Sequence, residues 1–264
     1  MFNPGNLDPN SASWIGLWTL YIREVRRFTK VYTQTVMAPV VTTLLFLAVF
    51  ALALGGRSRS IGEVPLMEFL APGLIMMAIV QNSFANTSSS LMVSKVQGNI
   101  VDTLMPPFTA HELTLAIALG GATRGIVVGA AVATAMTIVV DLSIHDLFFI
   151  VYHAAMAALM LSLLGIIGAI WAEKFDHIAA VTNFIVTPLS FLSGTFYSIQ
   201  QLPETAQLIA HTNPFFYMID GFRYGFIGHS DSSLGIGVAA MAAVNLALWT
   251  LCTRLFASGY KLKP

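Results

Sequence analysis

The sequence predicts an all-α polytopic membrane protein with six transmembrane helices, an N-terminal interfacial helix and an outer re-entrant helical hairpin between spans five and six. Of its 264 residues, 56% are hydrophobic and 10% are charged, whereas a soluble domain carries about 25% charged residues. This polar content is too small to cover a soluble protein. The apolar runs are long and lack the period-two alternation of strands, so they indicate helices.

Six apolar stretches approach the roughly 20 residues that a helix needs to cross the hydrocarbon core. In chain order they cover residues 36–54, 69–86, 116–140, 147–171, 178–193 and 234–254. The first ends in an Ala-Leu-Ala sequence typical of signal-peptidase sites, but the region before it is too long for a signal peptide. We therefore expect an uncleaved span. One domain, residues 1–264, is expected because neither a linker nor an internal repeat interrupts the chain.

The distribution of lysine and arginine predicts the orientation in the membrane. If the N-terminus is cytoplasmic, the inner segments carry Arg23, Arg26, Arg27, Lys30, Lys95, Lys174, Arg254, Lys261 and Lys263. The outer segments carry only Arg57, Arg59 and Arg223. Arg124 lies within the third span, and we expect its side chain to extend to the cytoplasmic headgroups. The bias predicts an inner-membrane protein with both termini in the cytoplasm.

Residues 13–30 predict a helix in the plane of the membrane interface. The members of its apolar face recur at helical spacing and are Trp14, Leu17, Trp18, Tyr21, Val25 and Phe28. The basic residues occupy the other faces and are Arg23, Arg26, Arg27 and Lys30. Tryptophan opposite a basic face is typical of interfacial helices. Packing of this helix on a soluble partner is the alternative.

The polar segment 94–112 joins the second and third spans on the predicted cytoplasmic side. Thr109 and Glu112 have the spacing of a capping box, which predicts a helix that continues into the third span. A short helix before it should stop at Pro106 and Pro107. The chain has no Gly-Lys dipeptide and hence no phosphate-binding loop of its own. The segment is either a docking surface for a separate ATPase or an inert connection.

Segment 201–228 is predicted to form two short helices on the outer face. Asn213 and Pro214 are typical of a helix start, and Asp220 and Arg223 are spaced to form an ion pair. The segment is too short and too charged to span the membrane, yet too apolar to lie in water. A re-entrant hairpin satisfies both constraints; a simple interfacial helix is the alternative.

Polar residues inside two of the predicted spans are candidates for contact with a transported molecule. Asn82 and Asn86 lie one turn apart in the second span, and Asn183 and Phe184 lie in the fifth. Polar groups in lipid need partners, so these amides face either a water-filled path or neighbouring helices. In the third span, the small residues at 121, 125 and 129 predict close helix packing within the chain.

The order of several short motifs resembles ABC-2-type transport permeases over nearly the whole chain. The motif residues in the cytoplasmic loop are Gly98, Leu104, Pro107 and Glu112, and those in the C-terminal part are Gly194, Leu202, Pro203, Pro214, Tyr217 and Arg223. The chain is similar in size and order to polysaccharide and nodulation-factor exporters and to small drug-efflux permeases. The double proline at 106–107 departs from the single proline that is usual there, which puts the geometry of the docking helix in doubt.

This resemblance implies a permease that pairs with a separate ATP-binding subunit and with a second permease copy, in a homodimer or a heterodimer. No cofactor is expected on this chain, since ATP and Mg²⁺ would bind the partner. Membrane lipid is an expected partner and nucleic acid is not. The expected substrate path includes Asn82, Asn86, Asn183 and Phe184. The outer hairpin site comprises Pro203, Glu204, Pro214, Tyr217, Asp220 and Arg223. The expected ATPase-coupling residues are Gly98, Asp102, Leu104, Pro107 and Glu112.

Two other classes of function are weaker. An ion-coupled secondary transporter normally carries acidic groups at the membrane midplane, and the predicted spans contain neither Asp nor Glu. A membrane enzyme needs a catalytic constellation, and none can be assembled. The six histidines share no ligand spacing, so neither a metal site nor a catalytic site is expected. A glycan, a lipid and a hydrophobic drug-like molecule all remain possible substrates.

Overall fold

A computed structural model describes residues 9–53, 60–61, 64–106 and 108–262, so the predicted coupling residue Pro107 lies outside the described residues. The first half contains α1 (Pro9–Thr29), a π-helical turn (Thr33–Met37) that leads into α2 (Ala38–Ala53), α3 (Leu66–Val96), α4 (Ile100–Leu104) and α5 (Ala110–Met136). The second half contains α6 (Leu147–Trp171), α7 (Phe175–Val181), α8 (Thr187–Ser190), α9 (Glu204–Thr212), α10 (Pro214–Ile227) and α11 (Leu234–Ser258). The strands Ser60–Ile61 and Val64–Pro65 pair antiparallel before α3.

Six helical segments are long and apolar enough to cross a membrane, which confirms the predicted all-α class and the number of spans. They are Thr33–Ala53, Leu66–Val96, Ala110–Met136, Leu147–Trp171, Phe175–Thr195 and Leu234–Ser258. The fourth has the predicted bounds. The second differs most, because it continues to Val96 rather than ending at residue 86. Of its polar residues after Asn86, Thr87, Ser88 and Ser90 are buried inside the helical bundle.

The centre of the molecule is α3, which packs against α5 and α6 along most of its length. Glycines on the facing helices permit this close approach. A Cβ atom at Gly125 would overlap Ser83, and one at Gly165 would overlap Thr87. The predicted small-residue face of the third span therefore packs within the chain, where Gly129 likewise faces Ile79.

The N-terminal helix α1 packs against α5 and beside the end of α3. Leu20, Glu24 and Phe28 are buried, whereas Trp14 and Trp18 remain 69% and 61% exposed. The two exposed indoles are free to lie among lipid headgroups, as expected of an interfacial helix. Phe28, which belongs to the same predicted apolar face, packs inside the protein.

The fifth span is irregular, since π-helical turns at Thr182–Val186 and Phe191–Thr195 flank the short helix α8. Pro188 lies in the first turn of α8 and has no amide proton to donate, which favours local widening of the helix. Gly194 has φ +83°, a conformation that favours glycine, and it turns the chain out of the span.

The helices α9 and α10 lie where the sequence predicts two short helices. Asn213 caps α10 by accepting a hydrogen bond from the Phe215 amide at 3.0 Å, and Pro214 occupies the first turn. The predicted apolar stripe of α10 is buried and consists of Phe215, Ile219, Phe222 and Phe226. This helix packs against α6, α3 and α11, so it is part of the helical bundle and not a loose surface element.

Candidate functional site

A buried carboxylate, Glu24, organises the contact between α1 and α3. Its side chain is 1% exposed, and its oxygens accept hydrogen bonds from Ser90 Oγ at 2.9 Å and from Arg27 Nε at 3.3 Å. Arg23 lies 3.4 Å from the same carboxylate. A buried charge is tolerated only when it is paired and hydrogen-bonded in this way.

The two arginines beside Glu24 extend this network to other helices. Arg27 donates to Asn86 Oδ1 at 2.9 Å and to Ser89 Oγ at 3.0 Å. Arg23 donates to Thr103 Oγ1 at 3.3 Å, which connects α1 to α4. One cluster therefore joins α1, the polar end of α3 and the short helix α4.

The two asparagines of the second span are both bonded to arginine side chains. Asn86 accepts from Arg27, and Asn82 accepts from Arg124 at 3.0 Å. The prediction that Arg124 extends to the headgroups is therefore wrong, because its guanidinium is half-buried against Asn82. Asn183 and Phe184 are exposed on the fifth span. No hydrogen bond within the described residues joins Asn183 to either α3 asparagine.

The coupling segment contains a sharp turn and a short amphipathic helix. Gly98, at φ +73°, turns the chain between α3 and α4. Within α4, Ile100 and Thr103 are buried, Leu104 is half-buried and Asp102 is exposed.

Exposed apolar side chains lie at the end of α3 and on α4. They are Val96, Val101 and Met105, which are 56%, 42% and 75% exposed. The predicted capping box is confirmed: Thr109 accepts from the Glu112 amide at 3.3 Å, and the Glu112 carboxylate accepts from the Thr109 amide at 2.7 Å. Glu112 therefore has at least a structural role at the start of α5.

At the other end of the bundle, Arg223 and Asp220 do not form the predicted ion pair. The Arg223 guanidinium lies 3.8 Å from the centre of the Phe69 ring and donates to the Gly194 carbonyl at 2.5 Å. Each side chain instead contacts partners outside α10, which for Arg223 are an aromatic ring and a carbonyl.

Asp220 holds the loop that leads into α11. Its carboxylate accepts from Ser230 Oγ at 2.8 Å, the Asp231 amide at 2.7 Å, and the Ser232 amide and Oγ at 3.1 and 2.6 Å. Asp231 in turn accepts from Ser198 Oγ at 2.8 Å. Asp220 and Arg223 thus fasten α10 to both segments that it separates, the end of the fifth span and the start of α11.

The remaining predicted residues of the outer hairpin have local roles or face outward. Pro203 precedes α9, and Glu204 is exposed in its first turn, where an acidic side chain suits the helix dipole. Tyr217 donates from its hydroxyl to the His211 carbonyl at 2.9 Å, which links α10 to α9.

An apolar cavity of about 500 Å³ opens between α6, the fifth span, α10 and α11. Its wall includes Phe84, Met160, Trp171, Ile185, Phe215 and Leu248. Apolar side chains make up most of this wall, so the cavity suits an apolar group and not a charged one.

Lys95, near the C-terminal end of α3, has a structural role that the sequence analysis did not identify. Its ammonium donates to the carbonyls of Ala169, Ile170 and Ala172 at 3.1, 2.9 and 2.5 Å. It thereby satisfies backbone acceptors at the end of α6. Nearby, the Lys261 ammonium donates to the Glu173 carboxylate at 2.9 Å and lowers the pKa of that carboxyl. These contacts bring the ends of α3, α6 and α11 together.

Replacing Lys95 with methionine is expected to destabilise the protein by about 1.5–3 kcal/mol, because carbonyls at the end of α6 lose a charged donor. Thermal unfolding in detergent measures this change. Lys174→Met is the matched control, since that exposed ammonium makes no hydrogen bond within the described residues. Equal melting temperatures for the two variants would show that the contact contributes nothing.

Comparison with known proteins gives consistent similarities across the chain. The profile of the family described as ABC-2 type transporter matches residues 16–227. The chain is 35% identical to "Inner membrane transport permease YadH" of Escherichia coli K12, over 91% of this chain and 96% of that protein. It is 21% identical to "Nodulation protein J" of Neorhizobium galegae, over 90% of this chain and 91% of that protein. Nodulation protein J of Rhizobium meliloti 1021 is 20% identical over 94% of each chain.

Proposed function

Because the chain belongs to the ABC-2 type transporter family, we propose that it forms the translocation path of an exporter whose motor is a separate ATP-binding subunit. The family and the six apolar helices make it a multi-pass inner-membrane transport permease. It is therefore a transporter and not a catalytic enzyme. ATP and Mg²⁺ would bind the partner subunit, and this chain would bind no cofactor.

The observation that carries the proposal is the docking patch formed by Val96, Val101 and Met105. In the proposed orientation this patch lies in the cytoplasm, where no lipid covers it. Exposed apolar residues that cluster in such a place mark a protein contact. Asp102 and Gly98 lie within the same short stretch. The ATP-binding subunit would thus press on α4, and Arg23 would transmit this contact from Thr103 to α1.

The proposed orientation agrees with the contacts at this end of the bundle. The α1 helix bonds to α4 through Arg23, and Lys261 near the C-terminus bonds to Glu173 at the end of α6. Lys95 bonds to the same end of α6. The α1 helix and the segment after α11 therefore lie at the end that carries the docking patch, which supports placing both termini in the cytoplasm.

The proposed path runs along the exposed face of the fifth span. Asn183 and Phe184 project there, and Phe184 is 80% exposed. The faces of α2 and α11 are also largely exposed and apolar. We expect a second permease copy to cover part of this surface and to complete the path, most simply in a homodimer. Substrate contact by Asn82 and Asn86, which are bonded within the chain, stays a prediction.

The apolar cavity supports a substrate with a hydrophobic part, which includes a lipid-linked glycan, a lipid and a hydrophobic drug-like molecule. Between the fifth and sixth spans, α10 would act as a re-entrant outer hairpin with α9. Asp220 and Arg223 would hold this hairpin against the ends of both spans while the path opens.

Replacing Met105 with glutamate is expected to abolish co-purification of ATPase activity with the tagged chain, because a charge would enter an apolar contact. ATP hydrolysis is measured on the affinity-purified complex. Leu208→Glu is the matched control, since Leu208 is exposed on α9 at the opposite end of the fifth span. Undiminished ATPase recovery with Met105→Glu would remove α4 from the docking surface.

A further inference from the structure

A groove between α1 and the end of α3 is lined by several basic side chains. Its volume is about 880 Å³. One wall is α1 and the short turn after it, and the other is the last two turns of α3. The residues that line these walls include Trp18, Ile22, Arg26, Lys30, Val31 and Val93.

The groove has an excess of positive charge. Four cationic side chains, Arg23, Arg26, Arg27 and Lys30, and one carboxylate, Glu24, give its lining a net charge of +3. The carboxylate is already engaged by Ser90, Arg27 and Arg23. Arg26 and Lys30 make no side-chain hydrogen bond or ion pair within the described residues. An anion in the groove would therefore meet two uncommitted cations.

The same groove also offers apolar surface beside its cations. Ile22, Val31 and Val93 line it, and Trp18 stands at its edge with 61% of its surface exposed. A small soluble anion would gain no binding energy from contact with this apolar surface. A membrane lipid uses both parts, because its headgroup is charged and its acyl chains are apolar, and indole rings favour the boundary between them.

We propose that this basic groove binds the phosphate headgroup of an anionic membrane lipid. Arg26 and Lys30 would contact the phosphate, and Trp18 would lie beside the part of the acyl chains nearest the headgroup. The cytoplasmic leaflet, where the proposed function places the groove, is the leaflet that carries anionic lipid. The groove shares no lining residue with the docking patch. Lipid bound here would contact α1 next to Glu24, the residue that joins α1 to α3.

Tryptophan fluorescence of the purified full-length chain in non-ionic detergent tests this proposal. Phosphatidylglycerol with brominated acyl chains should quench a saturable part of the emission, and brominated phosphatidylcholine should not. The variant Trp18→Phe should lose that saturable part. The double variant Arg26→Gln, Lys30→Gln should bind about 25-fold more weakly, since each cation near an anionic surface contributes about fivefold.

The matched control is Lys174→Gln with Arg254→Gln, which removes the same charge from exposed positions outside the groove. It should leave the midpoint of quenching unchanged. Equal quenching by phosphatidylcholine, or an equal loss in the control, would overturn the proposal. Displacement of the lipid by millimolar glycerol phosphate would also overturn it, in favour of a soluble phosphate ligand. No ATP-binding subunit is needed, so these results are independent of the docking experiment.

Discussion

Replacing Asp220 with alanine is expected to destabilise the protein by about 3–5 kcal/mol and to impair export while membrane insertion is retained. Four donors from residues 230–232 converge on this buried carboxylate. Hydrogen bonds to charged groups contribute about 1.5–3 kcal/mol each, and buried donors left unpaired add a desolvation cost. The loss is less than the simple sum because the loop can relax and water can reach it.

The consequence for export follows from the position of Asp220 between two spans. Its loop holds Asp231, which binds Ser198 after the fifth span, and the loop leads directly into α11. Thermal unfolding in detergent and ATP-dependent export from cells measure the two effects. Asp141→Ala is the control, since Asp141 is exposed and makes no hydrogen bond within the described residues. Wild-type stability and export in Asp220→Ala would exclude α10 from the mechanism.

Replacing Glu24 with alanine is the second large expected effect, a loss of about 2–4 kcal/mol in stability. The carboxylate is 1% exposed, and its removal leaves Ser90 and Arg27 without their acceptor. Removing one partner from a fully buried pair costs about 3–5 kcal/mol. The expected loss of stability is smaller here because the side chains of Arg27 and Arg23 are 35% and 50% exposed and remain partly solvated.

This variant should also separate ATP hydrolysis from transport. Glu24 positions Arg23, which reaches Thr103 on α4, and Arg27, which reaches Asn86 on α3. We expect the complex to retain ATPase activity while export per ATP falls. Asp176→Ala tests an exposed carboxylate for comparison. If Glu24→Gln behaves like Glu24→Ala in stability but exports normally, the cluster only holds α1 in place.

Local rules predicted much of the fold because they depend on residues close in sequence. The fourth span has the predicted bounds, Leu147–Trp171, and it follows an N-cap at Asp146. The capping box at Thr109 and Glu112 begins α5 as expected. The Asn213–Pro214 start of α10 is also confirmed. For the fourth span the signal is the length of the apolar run; for the two helix starts it is a side chain that bonds to a backbone amide within a few residues.

Side-chain partners across the fold could not be predicted in the same way. Glu24 lies among four basic residues, a pattern usually found on a solvated helix face, yet tertiary packing buries it against Gly120 and Ser90. The tryptophan face of α1 was expected to meet the membrane interface, and Trp14 and Trp18 are exposed. Helical spacing alone did not reveal that Leu20, Glu24 and Phe28 would pack inside the protein.

The partners of Arg223 and Arg124 also could not be predicted from the sequence. The spacing of Asp220 and Arg223 permits an ion pair, but spacing within one helix carries no information about Phe69 or the loop at 230–232. Arg124 was expected to reach the headgroups, yet Asn82 lies opposite it on α3. Charged groups inside a helical bundle take the nearest partner in space, which pairwise sequence rules do not identify.

The most direct test of an external motor is cross-linking from the coupling segment. Asp102 is replaced by cysteine in a Cys252→Ser background, which removes the sole native cysteine of the chain. A thiol-reactive photocrosslinker is attached in membranes, and the captured protein is identified by mass spectrometry. We predict capture of an ATP-binding subunit. Labelling of this cysteine from outside intact cells by an impermeant maleimide, with no nucleotide-binding protein captured, would contradict a cytoplasmic docking surface.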